Sequence, residues 1–328
     1  MPRLRTFAAL SLLLHSAASA QIFSGGSPMF PAPAIPAGTS PFGVVTVDLD
    51  GDGIRDLVCC NETSQDVSVR LGLGGGSFGA EARYAVGPRP CWVTAADVTG
   101  DGAIDLLTPD FGADTVSLLV GDGAGGFAPM VSLPASNGPV SIGVRDLNGD
   151  SIADVIVACL HDSNVTVLLG TGGGSFAAPA TYASGAGPHG IVCEDFDGDG
   201  VYDLATPDYI GGTVSILLGD GVGGFGPATS MPTGANPAAI QVGDLDGDGD
   251  LDLIVSNYGG SSATVVLGDG AGNFAVAYDL LTLDHPYGSE IVDLNGDGAL
   301  DLAVACEGPP LDYPGHVVIY YGDGAGGF

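Results

Sequence analysis

Lysine is absent from the 328 residues, arginine supplies all 7 basic side chains, and only 1 tryptophan occurs. Set against 39 acidic residues, this leaves a formal charge of −32. Such a balance excludes a basic surface for nucleic acid and argues against docking on anionic membranes. Long hydrophobic runs are scarce as well. The most pronounced, Phe7–Leu14, is too short to cross a bilayer, so no membrane insertion is expected. Sustained helical periodicity is also missing. Acidity of this degree would suit a disordered chain, but 45% of the residues are hydrophobic, enough to bury a core.

What is present begins with an export signal. Arg3 and Arg5 precede the apolar run, and Ala18-Ser19-Ala20 is a small-residue cleavage site before Gln21. Residues 1–20 are therefore expected to be a signal peptide and 21–29 a short linker. The mature chain is then a soluble, monomeric protein that is secreted, extracellular or periplasmic. Losing Arg3 and Arg5 takes the charge from −32 to −34. The six cysteines (59, 60, 91, 159, 193, 306) suit an oxidising compartment. Cys60 with Cys91 and Cys159 with Cys193 are candidate pairs, and buried free thiols are the equal alternative.

The stretch DLDGDGIRD from Asp48 recurs as DVTGDGAID from Asp97, DLNGDSIAD from Asp146, DFDGDGVYD from Asp195, DLDGDGDLD from Asp244 and DLNGDGALD from Asp293. Each start lies 49 residues after the one before, and Pro41, Pro90, Pro139, Pro188, Pro237 and Pro286 keep the same phase. Phe78, Phe127, Phe176, Phe225 and Phe274 each close a glycine-rich turn. A fixed period in this range marks an architecture in which neighbouring units bury one another's faces. Within a unit the pattern is all β. In the second, an apolar stretch leads into the Asp motif, Asp105–Thr108 starts the next strand, Thr115–Val120 forms a third, and a fourth is expected from Phe127. Short strands between Gly, Asn and Asp turns point to four-stranded propeller blades rather than a parallel β-helix. Phe30 and Phe328 have nearly the same phase, so a strand near Phe30–Pro36 is expected to complete the last blade and close the ring.

Four carboxylates in one nine-residue loop repel each other by about 1 kcal/mol per pair at 4 Å in water and about 4 near a protein surface, so a cation is needed between them. Oxygen donors at positions 1, 3, 5 and 9, with the position-7 backbone carbonyl, suit calcium. The expected ligands are Asp48, Asp50, Asp52, Ile54 and Asp56 in the first loop, and Asp97, Thr99, Asp101, Ala103 and Asp105 in the second. The third offers Asp146, Asn148, Asp150, Ile152 and Asp154, and the fourth Asp195, Asp197, Asp199, Val201 and Asp203. The fifth offers Asp244, Asp246, Asp248, Asp250 and Asp252, and the sixth Asp293, Asn295, Asp297, Ala299 and Asp301. About six structural calcium ions follow, with the second and third loops binding most weakly because of Thr99, Asn148 and Ser151. Position 12 carries no glutamate, which excludes an EF-hand.

These hairpins, followed by TVSLLVGDGAGGFAP and TVSILLGDGVGGFGP, resemble FG-GAP/VCBS repeats and are similar to the N-terminal β-propeller of integrin α chains. The resemblance covers residues 30–328 and implies an all-β propeller with calcium loops on one end. Family members often have seven blades, so a seven-bladed ring cut short stands beside the six-bladed one.

Strand order puts the acidic loops at one end and the variable connections at the other. At the variable end the candidate ligand contacts are Trp92, Asp110, His189, Asp208, Tyr209, Asn257, Tyr258 and Tyr287, exposed aromatics beside Asp and Asn that suit a carbohydrate or protein ligand. The expected role is a binding or adhesion module. The alternatives are a lyase- or hydrolase-type enzyme using His189 and His285, and a purely structural surface protein. No HExxH or GxSxG occurs, and no catalytic residue is assigned. Asn61-Glu-Thr and Asn164-Val-Thr are glycosylation sequons if the host is eukaryotic.

Overall fold

The computed structural model describes residues 35–307 and 316–328. It is a six-bladed β-propeller, built of antiparallel sheets with no helix among the described residues, none therefore long and apolar enough to cross a membrane. The first blade runs Pro41–Val47, Asp56–Asn61, Asp66–Arg70 and Ala82–Ala85, paired in chain order. Five blades have four strands, and the sixth has three described strands, Pro286–Val292, Asp301–Cys306 and His316–Tyr320. The signal peptide, the linker and most of the expected closing strand lie outside the described residues.

The first strand of each blade lies nearest the axis. Thr94 Oγ1 reaches the Ile142 carbonyl one repeat on at 3.3 Å, Gln241 Nε2 reaches Ser289 O at 2.7 Å, and Arg145 pairs with Glu194 at 2.8 Å. The outermost strands show alternate or near-complete exposure, as in Val131–Pro134. That strand begins four residues later than expected. Phe127 forms one isolated bridge to Gly121, and the ladder resumes only at Val131. Glycine or proline follows the phenylalanine within three residues in the first four blades (Gly79, Pro129, Pro179, Gly226) and disfavours continuous pairing. The fifth blade has Ala275-Val-Ala instead, and its outer strand runs unbroken over Phe274–Leu281.

Alternation of apolar residues along each strand puts one set on each face, so blades from the first to the sixth are buried against their chain neighbours. Leu106 and Leu119 of the second blade pack on Val58, Val67 and Val69 of the first, while Leu107, Val116 and Leu118 pack on Val155, Val157 and Leu168 of the third. Similar cores join the third to the fourth blade, the fourth to the fifth, and the fifth to the sixth. The closing seam differs. Phe42 and Tyr287 meet across it at 6.5 Å. Farther out, Val317 and Ile319 are each 48% exposed where Val116 and Leu118 are 0% exposed. On the facing side Arg70 stands where the second blade has Leu119.

All six cysteines are free thiols, so neither candidate pair is formed. Burial pushes Cys60 and Cys193 up to about 12, as befits inert core residues rather than nucleophiles. Of the two sequons, Asn61 is fully buried, its amide donating to Ser68 Oγ at 2.9 Å, so the folded protein cannot present it for glycosylation.

Candidate functional site

The acidic loops form one end of the ring. In each, the first aspartate accepts the backbone N–H groups of positions 4 and 6. Asp48, for example, takes Gly51 N at 2.8 Å and Gly53 N at 2.9 Å. These bonds wind the loop tightly and leave the carboxylates of positions 3 and 5 crowded at its mouth. Three loops bring three carboxylate oxygens within 4.8 Å of one another: Asp48, Asp50 and Asp56; Asp195, Asp197 and Asp199; Asp244, Asp246 and Asp248. They are the three with aspartate at positions 1, 3, 5 and 9. Their geometry and hard oxygen donors fit a calcium ion.

Position 9 has a second job that the spacing did not reveal. Asp56, Asp105, Asp154, Asp203, Asp252 and Asp301 are at most 1% exposed. Each carboxylate spans two backbone donors. Asp56 Oδ2 takes Leu49 N and Oδ1 takes Gly72 N, both at 2.7 Å; Asp105 Oδ2 takes Val98 N at 3.0 Å and Oδ1 takes Gly121 N at 2.9 Å. The residue thus ties its own loop to the glycine turn between the third and fourth strands. The Oδ1 atom, which accepts a single N–H in each, keeps a lone pair for a metal, whereas Oδ2 of Asp105 and of Asp301 already accepts two. Desolvation raises the Asp154, Asp203 and Asp252 pKa values, opposed by these backbone bonds.

The glycine turns also clamp the preceding blade. Gly173 N donates to Thr99 O at 3.2 Å, Gly272 N to Phe196 O at 3.2 Å and Gly326 N to Leu245 O at 3.0 Å. A Cβ on Gly125, which has φ +78°, would lie 2.5 Å from Leu71 Cδ2 of the blade before.

The opposite end is built from one bond used six times. Glu62 N donates to Ser40 O, Phe111 N to Arg89 O, Leu160 N to Gly138 O, Tyr209 N to Gly187 O, Tyr258 N to Asn236 O and Glu307 N to His285 O, at 2.8 to 3.2 Å. A constant backbone therefore presents two variable positions per blade, the second being glycine in the third and fourth.

Several candidate residues come together there. Tyr287, on the first strand of the sixth blade, sits edge-on to His189 (5.8 Å), Tyr258 (5.9 Å) and Phe42 (6.5 Å). A row of rings flanks it: His189 to Tyr209 at 5.3 Å, Tyr209 to Tyr258 at 6.5 Å, and Tyr258 to His285 at 4.7 Å. Burial pushes the Tyr287 hydroxyl well up and lowers His189, partly offset by the Ala238 carbonyl 3.0 Å from its Nδ1. A carbonyl only accepts, so the His189 proton sits on Nδ1 and Nε2 carries a lone pair.

Other candidates point elsewhere. Trp92 packs on the neighbouring first strand, where a Cβ on Gly43 would fall 3.2 Å from its ring. Asp110, Asp208 and Asn257 are fully buried. Asp110 accepts from Thr108, Thr115 and Ser117 at 3.2, 3.1 and 2.8 Å, Asp208 from Thr206, Thr213 and Ser215 at 3.1, 2.7 and 2.6 Å, and Asn257 donates to Ser262 and Thr264 at 3.0 and 2.8 Å. Each closes a hydroxyl network within its own blade. Burial pushes Asp110 up to about 6, against those three hydroxyl bonds. Sequence reasoning left Phe42, Arg89 and Glu307 out of the site. Only alignment of the six copies at one phase would have picked them out.

Residues 48–108, 97–157, 146–206, 195–255 and 247–304 match the FG-GAP-like repeat. No curated protein sequence matches the chain. Among solved structures, an Agrocybe aegerita lectin described as recognising non-reducing terminal N-acetylglucosamine is 21% identical, with 87% of this chain and 78% of the lectin covered at a TM-score of 0.56. BBS1N, crystallised in complex with ARL6DN, is 15% identical over 87% of this chain and 80% of its own, TM-score 0.61. Virginiamycin B lyase from Staphylococcus aureus is 13% identical over 85% and 83%, TM-score 0.53. At these identities the likeness is one of fold, which binding proteins and enzymes share.

Proposed function

Because this chain belongs to the FG-GAP-like repeat family, and its two ends divide so sharply, we propose that it is a secreted, calcium-stabilised binding module whose ligand seats on the end opposite the acidic loops. The ligand is a carbohydrate or a protein. One observation carries the reading: His189, Tyr209, Tyr258, His285 and Tyr287, drawn from three blades, form a continuous aromatic surface at that end. Such rings supply large contact area at low conformational cost, and their polar edges give orientation. Calcium at Asp48, Asp195, Asp244 and the related loops would neutralise the crowding and brace each hairpin without touching the ligand.

Glycan-array binding with calcium present tests the carbohydrate arm, with terminal N-acetylglucosamine as the first probe since the Agrocybe aegerita lectin is described as recognising it. Any ligand found should lose affinity in Tyr209→Ala and Tyr258→Ala variants. Unchanged affinity in both would sink the assignment of this end. The enzymatic reading turns on His189: turnover that disappears in a folded His189→Ala protein would replace binding with catalysis.

A further inference from the structure

Asparagine precedes glycine at Asn137, Asn148 and Asn295. In such a pair the glycine, lacking a Cβ, leaves its nitrogen open to attack the asparagine side chain, so the sequence is intrinsically prone to lose ammonia. The fold treats these pairs differently. In the third and sixth acidic loops the amide is held at both ends. Asp150 N donates to Asn148 Oδ1 at 3.0 Å and Asn148 Nδ2 to Asp150 Oδ2 at 3.1 Å; Asp297 holds Asn295 in the same way, both bonds at 2.8 Å. The glycine N–H groups there make short bonds, Gly149 to Asp146 Oδ1 at 2.8 Å and Gly296 to Asp293 Oδ1 at 2.6 Å.

Asn137 lies at the opposite end, in the link that enters the first strand of the third blade, and is exposed. Its main chain is fixed: Asn137 N donates to Asp162 Oδ2 at 3.0 Å, and its carbonyl takes His161 N at 3.2 Å. Its side chain is held at the oxygen alone. Asn137 Oδ1 lies 3.1 Å from His161 Nδ1, and an amide oxygen only accepts, so that ring nitrogen donates. Asn137 Nδ2 has no hydrogen-bond partner among the described residues. Gly138 N–H points at Asp114 Oδ1 of the second blade in a long bond of 3.3 Å. A Cβ on Gly138 would fall 2.7 Å from His161 Nδ1, so only glycine lets the ring come this close. The Phe111 ring, 5.0 Å from that of His161, steadies the imidazole.

We propose that Asn137 is a site of spontaneous deamidation, with Asp114 as its base and His161 as its oxyanion donor. Gly138 N attacks Asn137 Cγ as its proton passes to Asp114, and His161 Nδ1–H stabilises the oxygen that gains charge. The Cγ–Nδ2 bond then breaks, and the nitrogen leaves as ammonia with the proton that Gly138 gave up. Water opens the resulting cyclic imide at either carbonyl, which leaves aspartate or isoaspartate and restores the Gly138 N–H. In sum, water is consumed and ammonia released. Either product adds a negative charge to the variable end. The isoaspartyl form also lengthens the main chain beside the Gly138 carbonyl that accepts Leu160 N.

The test is peptide mapping by mass spectrometry of the mature protein held at neutral pH with calcium, beside the same chain unfolded in guanidinium chloride. Folded, Asn137 should convert at least as fast as it does unfolded, while Asn148 and Asn295 should be slowed by about tenfold or more. His161→Phe keeps a ring but loses the donor. Asp114→Asn removes the base and suits the left-handed φ of 53° at that position. Each should slow Asn137 by about tenfold in a protein of unchanged melting temperature, less than is usual for a positioned acid or base because the site is open to water. Neither should alter its rate in the unfolded chain. Slower conversion of Asn137 folded than unfolded would overturn the proposal, since the fold would then be protecting the pair. So would a folded rate that neither variant changes, because the bare Asn-Gly sequence would then suffice.

Discussion

The two ends of the ring are made from the same antiparallel hairpins, but they treat repetition in opposite ways. At the loop end the side chains repeat and the chemistry is invested in them: aspartate at position 1 winds the turn, and aspartate at position 9 ties it to the next hairpin. At the other end only the backbone bond repeats, and the side chains it displays change from blade to blade, from Glu62 to Phe111, Leu160, Tyr209, Tyr258 and Glu307. Repeated side chains serve a need common to every blade, which is stability. Varied side chains on a constant frame can serve a need of the molecule as a whole. Changes at the loop end should therefore register in folding, and changes at the mouth in binding.

The largest expected effect is removal of the metal. With free calcium at ten times the dissociation constant, six sites would contribute about 1.4 kcal/mol each, about 8 in all, comparable to the roughly 5–15 kcal/mol stability of a typical domain. Addition of EGTA should lower the calorimetric melting temperature steeply, and elemental analysis should find calcium in stoichiometric excess over the chain. A transition that ignores chelation would remove the physical reason for the loop end. Next in size is Asp105→Ala, which leaves the buried Val98 and Gly121 N–H groups without an acceptor, at about 1–3 kcal/mol each. In a denaturant titration of both variants, Tyr209→Ala at the mouth should cost less than about 2 kcal/mol. Should the mouth variant prove the more damaging to folding, the division of labour between the ends would be broken.

Much of this was legible in the chain, for a reason tied to repetition. Six copies in one phase average away local ambiguity, so the blade pattern and the loop positions could be read before any coordinate. What resisted reading was the direction in which a carboxylate turns. Spacing alone shows the position-9 aspartates as candidate metal ligands and hides their second role, because the N–H groups they accept lie 7 and 16 residues away in the first loop. Asp110 and Asp208 looked like surface groups at strand ends, yet Thr and Ser from the adjoining strand enclose them. The uneven closing seam also escaped. Arg70 against Leu119, Leu168, Leu217 and Val266 at one phase was there to be compared, but a single exception inside a strong pattern carries little weight until the exposure of Val317 and Ile319 gives it meaning.

Acid should separate the two ends more finely. Burial holds Asp110 up at about 6, so the folded state takes its proton more readily than the unfolded chain does. For this one group, stability is gained as pH falls through 6 toward the usual carboxylate range, and lost again as pH rises. Calcium held at the acidic loops, as proposed, would respond in the opposite sense, since protonation competes with the metal. Asp110→Asn keeps an acceptor for the hydroxyls, as Asn61 and Asn257 show that this position tolerates an amide. Denaturant midpoints measured at fixed calcium from pH 7 to 5 should therefore decline more steeply in Asp110→Asn than in the parent. A parallel decline would mean that the Asp110 carboxyl titrates in the ordinary range, and that its burial has no energetic consequence.

The smallest effect tests how far the repeat itself dictates the loop. Five loops have glycine at position 6, while the third has Ser151, held at φ 65°. That left-handed conformation costs an L-residue about 1–2 kcal/mol, and glycine gives back about 0.5–1 through its freer unfolded chain. Ser151→Gly should therefore stabilise by about 0.5–1 kcal/mol. Because Ser151 N already donates to Asp146 Oδ2 at 2.8 Å, as its glycine counterparts do in the other loops, the substitution leaves the hydrogen bonds in place and isolates the backbone cost. If the gain appears with calcium but vanishes in EGTA, the strain is imposed by the ion drawing the loop tight. If it persists unchanged, the hairpin alone imposes it, and the third loop is weak through Asn148 rather than through its serine.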